Sequence, residues 1–260
     1  MIAPDVQVVV LAESTQAEEA CACAVEVPTP WPEALKACRT RLAEDLGTAV
    51  HGMHLRDAAG SVIGHLYYAF SGQALVAYEI EDGVAVVYCE WIPRRHQGKG
   101  YSRILSETLV RRLETKGCKG ILVLATDDEQ HMHYRHYARR GFRTLRQDGT
   151  TRLMYLPLGQ EKIVVEPLEQ RIPVGYRYPV EVLVFSGGLC PYEAATSLVA
   201  AQVAQEFGRR VVLKEIPASR QALYEYGTAK GVWVNGRRVP GGGLPEEAVR
   251  LAIREALEGK

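Results

Sequence analysis

Apolar positions along the chain change their period several times, and each change marks an element. Val6–Leu11 is a short continuous apolar run suited to a buried strand. Helical spacing follows near Gln16–Val25 and again near Trp31–Leu46, the second opening on prolines as helix starts often do. From His51 the pattern becomes extended: two strands flank the turn Ala58-Ala59-Gly60, and "QALVAYEI" extends or follows the second. A turn at Glu81-Asp82-Gly83 leads into "VAVVYCEWI", a long buried strand. The spacing then predicts a helix over Ser102–Thr115 with Ile104, Leu105, Leu109 and Leu113 on one face. "GILVLAT", apolar throughout, reads as a strand covered on both sides. His131–Arg140 is predicted helical and closed by Gly141, and residues 142–158 form a hairpin turning at Asp148-Gly149.

Residues 159–178 contain two prolines and no clear period, so they read as a connection between domains 1–158 and 179–260. Beyond them the order is strand Val180–Phe185, helix Tyr192–Phe207, strand Arg210–Ile216 and a short helix at Arg220–Tyr226. Strand Gly231–Val234, a turn at Asn235-Gly236, a short strand and a helix Pro245–Leu257 complete it. That is βαβ followed by ββα. The fold class expected is α/β in both parts, with the first built on a mixed sheet.

Composition narrows the function without naming it. At 260 residues and 47% apolar content the chain has ample material for packed cores. Up to Leu158 there are 18 basic and 19 acidic residues, and after it 13 and 12. Neither half carries the basic excess of a general nucleic-acid binder, so no nucleic-acid partner is expected. No secretory signal and no run of roughly 18 apolar residues is present, so no membrane partner is expected and the cytoplasm is the simplest location. The six cysteines show neither a CxxC pair nor zinc-ligand spacing, which fits reduced thiols and no metal centre.

The chemistry concentrates in "IPRRHQGKGYSRIL", Ile92–Leu105. Glycines at 98 and 100 let the backbone turn tightly and bring successive N–H groups inward. The helix that starts directly afterwards adds its unpaired N–H groups and the positive end of its dipole. With Arg94, Arg95, His96 and Lys99 at the rim, the loop suits a pyrophosphate. The gap before Lys99 does not match a P-loop, and the third glycine of a dinucleotide fingerprint is missing.

Strand, Gln97-Gly98-Lys99-Gly100-Tyr101-Ser102, helix, apolar strand, then Tyr137 four positions before Gly141-Phe142: this order resembles the GNAT superfamily of N-acetyltransferases over most of residues 1–158. Serine at 102 departs from the family's small glycine or alanine. The resemblance implies a splayed mixed sheet with helices on both faces. It also implies acetyl-CoA as co-substrate, with its pyrophosphate on the amides of Gln97, Gly98, Lys99, Gly100, Tyr101 and Ser102. Its pantetheine arm would run along the main chain at Trp91 and Ile92. The asparagine that often lies seven positions before the tyrosine is Gln130 here.

Carried over, Tyr137 is the acid that protonates the leaving thiolate; packing on the co-substrate is its plainer role. Glu90 is the first choice for the base, and a salt bridge to a neighbouring arginine is the alternative. Strict alternation puts Tyr88, Glu90 and Ile92 on one face and Cys89 and Trp91 on the other. His131, His133 and His136 cluster beside Tyr137 but lack an i, i+4 pair for a metal, so solvated helix surface is the default reading. The acceptor implied is an amine of a small molecule or a peptide, and a homodimer is left open.

The later part resembles thioredoxin-like proteins. "CPYE", Cys190–Glu193, is similar to a glutaredoxin CPYC site whose second cysteine is glutamate, and Lys230 stands in the cis-proline position. The combination resembles the YoaP group of bacterial acetyltransferases. Without a second cysteine, disulfide exchange inside the motif is impossible. Cys190 is therefore a candidate monothiol site at most. Two other functions remain open: a CoA-binding regulatory protein with an inactive transferase site, and a monothiol redox protein using Cys190.

Overall fold

The computed structural model of the chain describes residues 6–26, 32–129, 131–174, 178–240 and 246–259. Two compact units emerge. The first holds the described part of Met1–Pro28 with Leu42–Ala74 and Glu79–Glu166; the second holds the described part of Thr29–Arg41, Leu75–Tyr78 and the described part of Pro167–Lys260.

In chain order the elements are β1 (Val6–Val10), α1 (Cys23–Glu26), α2 (Pro32–Asp45), β2 (His51–Asp57), β3 (Val62–Phe70), β4 (Tyr78–Ile80) and β5 (Val84–Trp91). Then come α3 (Tyr101–Thr115), β6 (Gly120–Thr126), α4 (Tyr134–Ala138), β7 (Arg143–Asp148), β8 (Thr151–Pro157) and β9 (Val165–Pro167). The remainder is β10 (Val180–Ser186), α5 (Pro191–Glu206), β11 (Val211–Pro217), α6 (Arg220–Tyr226), β12 (Val232–Val234), β13 (Arg237–Arg238) and α7 (Glu246–Glu258).

The first unit is a seven-stranded sheet of order β1-β2-β3-β5-β6-β8-β7. Only β5 and β6 run parallel. Their pairing extends from Val84↔Gly120 to Val87↔Val123 and goes no further, so the two strands part company over their last residues. Beside that point β5 carries a bulge: Tyr67 faces Cys89 and Tyr68 faces Val87, so Tyr88 is the extra residue of β5 in this ladder. The extra residue breaks the strict alternation expected along "VVYCEWI". One face of the sheet is packed by Leu105, Leu109 and Leu113 of α3 with Tyr137 and Phe142, against Leu66, Val87, Ile121 and Val123. A side chain at Gly64 would overlap Ile92, so the glycine makes room for the end of β5 in this core.

Several elements are shorter than the spacing predicts, for identifiable reasons. The helix expected over 16–25 is a 3₁₀ turn at Ser14–Glu19 followed by α1, because Cys21 takes φ 60 and interrupts it. Met132, at φ 45, similarly delays α4, whose helix begins only at Tyr134. Of "QALVAYEI" only β4 is strand, and it pairs with β9 rather than joining the large sheet. β9 itself lies inside the segment 159–178 that shows no period. The stretch before β9 is held by Lys119 O, which accepts the Gly159 N–H, and by Glu81, which accepts the Val164 N–H at 2.7 Å.

In the second unit β10 pairs in parallel with β11 and antiparallel with β12, giving the order β11-β10-β12-β13. Val182, Val184, Ala200, Val203, Val249 and Ile253 form its core between α5, α7 and the sheet. Ala34 of α2 packs with Ala194 and Ala195 of α5 in the same unit.

Buried imidazoles lie on the sheet face opposite α3. His54 and His65 are buried; the former's Nε2 lies 3.0 Å from the Tyr67 hydroxyl, the latter's 3.4 Å from Cys89 Sγ. Desolvation, then the Arg56 charge, lowers His54 to about 4. Desolvation, then His54 itself, lowers His65 to about 3. Above the unfolded value of about 6.5 both states are neutral; below it the unfolded chain binds protons that the folded chain refuses. Stability is therefore whole above about pH 6.5 and falls through the window down to 4 and 3, by up to about 1.4 kcal/mol per pH unit per histidine. Urea unfolding at successive pH values should show this slope, and His65→Gln should reduce it by roughly half.

Candidate functional site

The parting of β5 and β6 opens a cavity of ≈ 300 Å³, within the lower range of small-molecule sites. Glu90, Trp91 and Ile92 border it from β5; Gln97, Gly98, Gly100, Tyr101 and Ser102 border it from the loop and α3. His133, His136 and Tyr137 close it from α4 and its approach, with Glu129, Met132 and His96 at the edges. Trp91 borders the same cavity although the ladder pairs it with His65 and Glu90 with Leu66, which keeps the two on opposite faces as expected. Lys99 stands outside, its Nζ 5.9 Å from the Tyr101 ring centroid. Gln130 lies outside the described residues.

The loop is built from local rules. Arg94–His96 make one 3₁₀ turn after Pro93. The Gln97 side chain donates to the Ile92 carbonyl at 2.9 Å, tying the loop to the end of β5. That carbonyl, expected to serve a ligand, already accepts this bond. Gly98 and Gly100 take φ 76 and 79, the left-handed region where a Cβ is strained, and open space lies where their side chains would be. Gly100 caps the fifteen-residue α3 in that conformation. Among the described residues, the N–H groups of Gly98, Lys99, Tyr101 and Ser102 donate to no loop or turn carbonyl. A row of orphan donors at a helix N-terminus is an anion cradle.

Opposite the cradle stands a charged cluster that crosses three elements. Arg140 Nη1 donates to both oxygens of Glu90, at 2.9 and 3.0 Å, and Nη2 donates to Ser102 Oγ at 2.8 Å. The Glu90 side chain is only 4% exposed, so the salt-bridge alternative weighed from sequence is present in the fold. Arg140 went unnoticed in sequence because its partners lie 50 and 38 positions away; the pair Arg139-Arg140 before Gly141 was the only signal. The serine at 102 is the hydroxyl that receives it. His136 Nε2 approaches Glu90 Oε1 to 3.6 Å with its side chain 40% exposed. Tyr137 is buried against Phe142, and burial, then the Glu90 charge, hold its phenol well above the ordinary value. It stays protonated at neutral pH and is able to donate.

Cys190 belongs to the second unit. It sits at the N-cap of α5 with Pro191 following, partly exposed, and Lys230 Nζ lies 3.5 Å from Glu193. Among the described residues no group of three or more His, Cys, Asp or Glu is arranged to hold a metal, and no helix is long and apolar enough to cross a membrane.

Residues 15–142 match the sequence model of the Acetyltransferase (GNAT) family, and the chain carries a GNAT acetyltransferase domain. The matched stretch contains β5, the loop, α3, β6 and α4. Among solved structures, the GNAT family N-acetyltransferase YhbS from Escherichia coli, in complex with CoA, is 19% identical. It covers 60% of this chain and 82% of its own, with a TM-score of 0.45. A GNAT-family acetyltransferase from Staphylococcus aureus is 10% identical over 59% of this chain and 99% of its own, at 0.46. The ribosomal-protein-S18-alanine N-acetyltransferase from Escherichia coli is 16% identical over 60% and 97%, at 0.43. GNAT relatives use acetyl-CoA as co-substrate. No curated protein matches the chain.

Removing one member of the buried ion pair should reveal its weight. Arg140→Met leaves the Glu90 carboxylate buried without its guanidinium and should lower stability by about 3–5 kcal/mol. In urea unfolding, Glu90→Gln with Arg140→Met should recover most of that loss.

Proposed function

We propose that the chain is an acetyl-CoA-dependent N-acetyltransferase, moving an acetyl group to an amine of a small molecule or a peptide by direct attack. The observation that carries this reading is the orphan amides of Gly98, Lys99, Tyr101 and Ser102 sharing one cavity with the end of β5 that has parted from β6 and with a protonated Tyr137. The amides and α3 N-terminus would hold the pyrophosphate, and the main chain of Trp91 would run beside the pantetheine arm. Tyr137, kept neutral by burial, would protonate the departing sulfur. Glu90 supplies the negative charge beside which the amine proton is taken. The family match over residues 15–142 supports the transferase class, and the cavity supports the co-substrate.

For the later residues, parallel β10 and β11 joined through α5, then β12, β13 and α7, support a thioredoxin-like reading of 179–260. In that reading Cys190 lacks the resolving thiol for internal exchange, and the domain serves binding rather than redox chemistry. A cytoplasmic bacterial enzyme accords with the reduced thiols.

Two experiments test this. CoA at a hundred times its Kd should stabilise the protein by about 2.7 kcal/mol. In Gly98→Val with Gly100→Val this stabilisation should vanish, while strain costs about 1–2 kcal/mol per site and the fold persists. Unchanged stabilisation would refute the cradle. Separately, Cys190→Ser should leave acetyl transfer to simple amines intact; a large loss at unchanged CoA affinity would make Cys190 part of the active site.

A further inference from the structure

Glu90 Oε1 and His136 Nε2, 3.6 Å apart, compete to take the amine's proton. Glu90 is the obvious base by position, but its environment argues against it. Both of its oxygens accept from Arg140, and its side chain is 4% exposed. A proton placed there breaks charge-assisted hydrogen bonds. A working base must also shed its proton after each turnover. His136 meets both conditions. It lines the same cavity as Tyr137 and Ser102, its side chain is 40% exposed, and its ring stands perpendicular to that of Tyr137 at 5.2 Å.

We infer that His136 is the proton acceptor of this site, with Glu90 as the carboxylate that orients its ring and Arg140 as the positioning residue that holds Glu90. This rests on the acetyltransferase reading and deepens it. Glu90 Oε1 lies 3.6 Å from His136 Nε2, and such contacts shorten when substrate closes a site. Placing the N–H on Nε2, toward the carboxylate, leaves Nδ1 as the basic atom. Arg140 reaches from Glu90 to Ser102 Oγ, so the same guanidinium fixes the histidine's partner and the first turn of the phosphate-binding helix. The charged or titratable groups around the ring are Glu90 from β5, Arg140 and Tyr137 from the α4 region, and Glu129, His133 and His96 at the cavity edge.

The step balances. The amine nitrogen forms its bond to the thioester carbonyl carbon, and the carbon–sulfur bond breaks with its electron pair on sulfur. The amine proton passes to His136 Nδ1, and the Tyr137 hydroxyl proton passes to the sulfur. Exposed His136 then releases its proton to water, and the tyrosine recovers one from the same source.

The test follows thiol release from acetyl-CoA between pH 5.5 and 9, with tyramine, a lysine ester and a peptide bearing a free amino terminus as acceptor probes. In wild type, kcat/KM should fall as the pH is lowered. His136→Ala should lower it by about 10²-fold or more, remove that limb, keep CoA-induced stabilisation, and regain activity with added imidazole. Glu90→Gln should lower kcat while leaving the acid limb in place, because the imidazole remains. Wild-type turnover in His136→Ala, or loss without imidazole rescue, overturns the inference and leaves the acetyltransferase reading standing. CoA binding by wild type without turnover of any probe overturns both.

Discussion

Everything at the site depends on β5 and β6 ceasing to pair after Val87 and Val123. A parallel pair buried in the middle of a sheet normally satisfies its backbone along its whole length. Here the ladder stops, and each strand is secured from its far side instead, β5 by β3 and β6 by β8. The bulge at Tyr88 gives β5 the extra residue with which to turn away. Its freed end, the phosphate-binding loop and α4 then converge on one opening. Core packing under α3 makes that opening rigid, since Leu105, Leu109 and Leu113 sit on the strands just before they diverge.

The cavity is electrically asymmetric in a way the fold sustains. Glycine-bearing amides and a helix dipole face one side, a guanidinium-bound carboxylate the other. Arg140 joins them, so neither can shift alone. The imidazoles of His54 and His65 on the opposite sheet face follow the contrary rule, buried and held toward the neutral form chiefly by desolvation.

Local chemistry was legible in the sequence and distant pairing was not. The loop Gln97–Ser102 is visible because glycine spacing before an amphipathic run has few uses, and β6 because five apolar residues in succession, Ile121–Ala125, leave little choice. The bulge at Tyr88 is invisible, since an extra residue in a strand leaves no mark on composition. Strict alternation therefore fails between Val87 and Cys89. Left-handed Cys21 and Met132 shortened two helices for which side-chain spacing argued. Arg140 resembled any surface arginine until the fold set it between Glu90 and Ser102.

The division of the chain into compact units does not follow its order. The described part of Thr29–Arg41 clusters with the second unit and Leu42–Ala74 with the first, so α2 changes allegiance along its own length. A fragment ended after Leu158 would keep Ala34 but lose the Ala194 and Ala195 on which it packs. Such a fragment exposes an alanine face that intact folding conceals. The boundary that looks natural in the linear sequence is therefore a poor place to divide this protein.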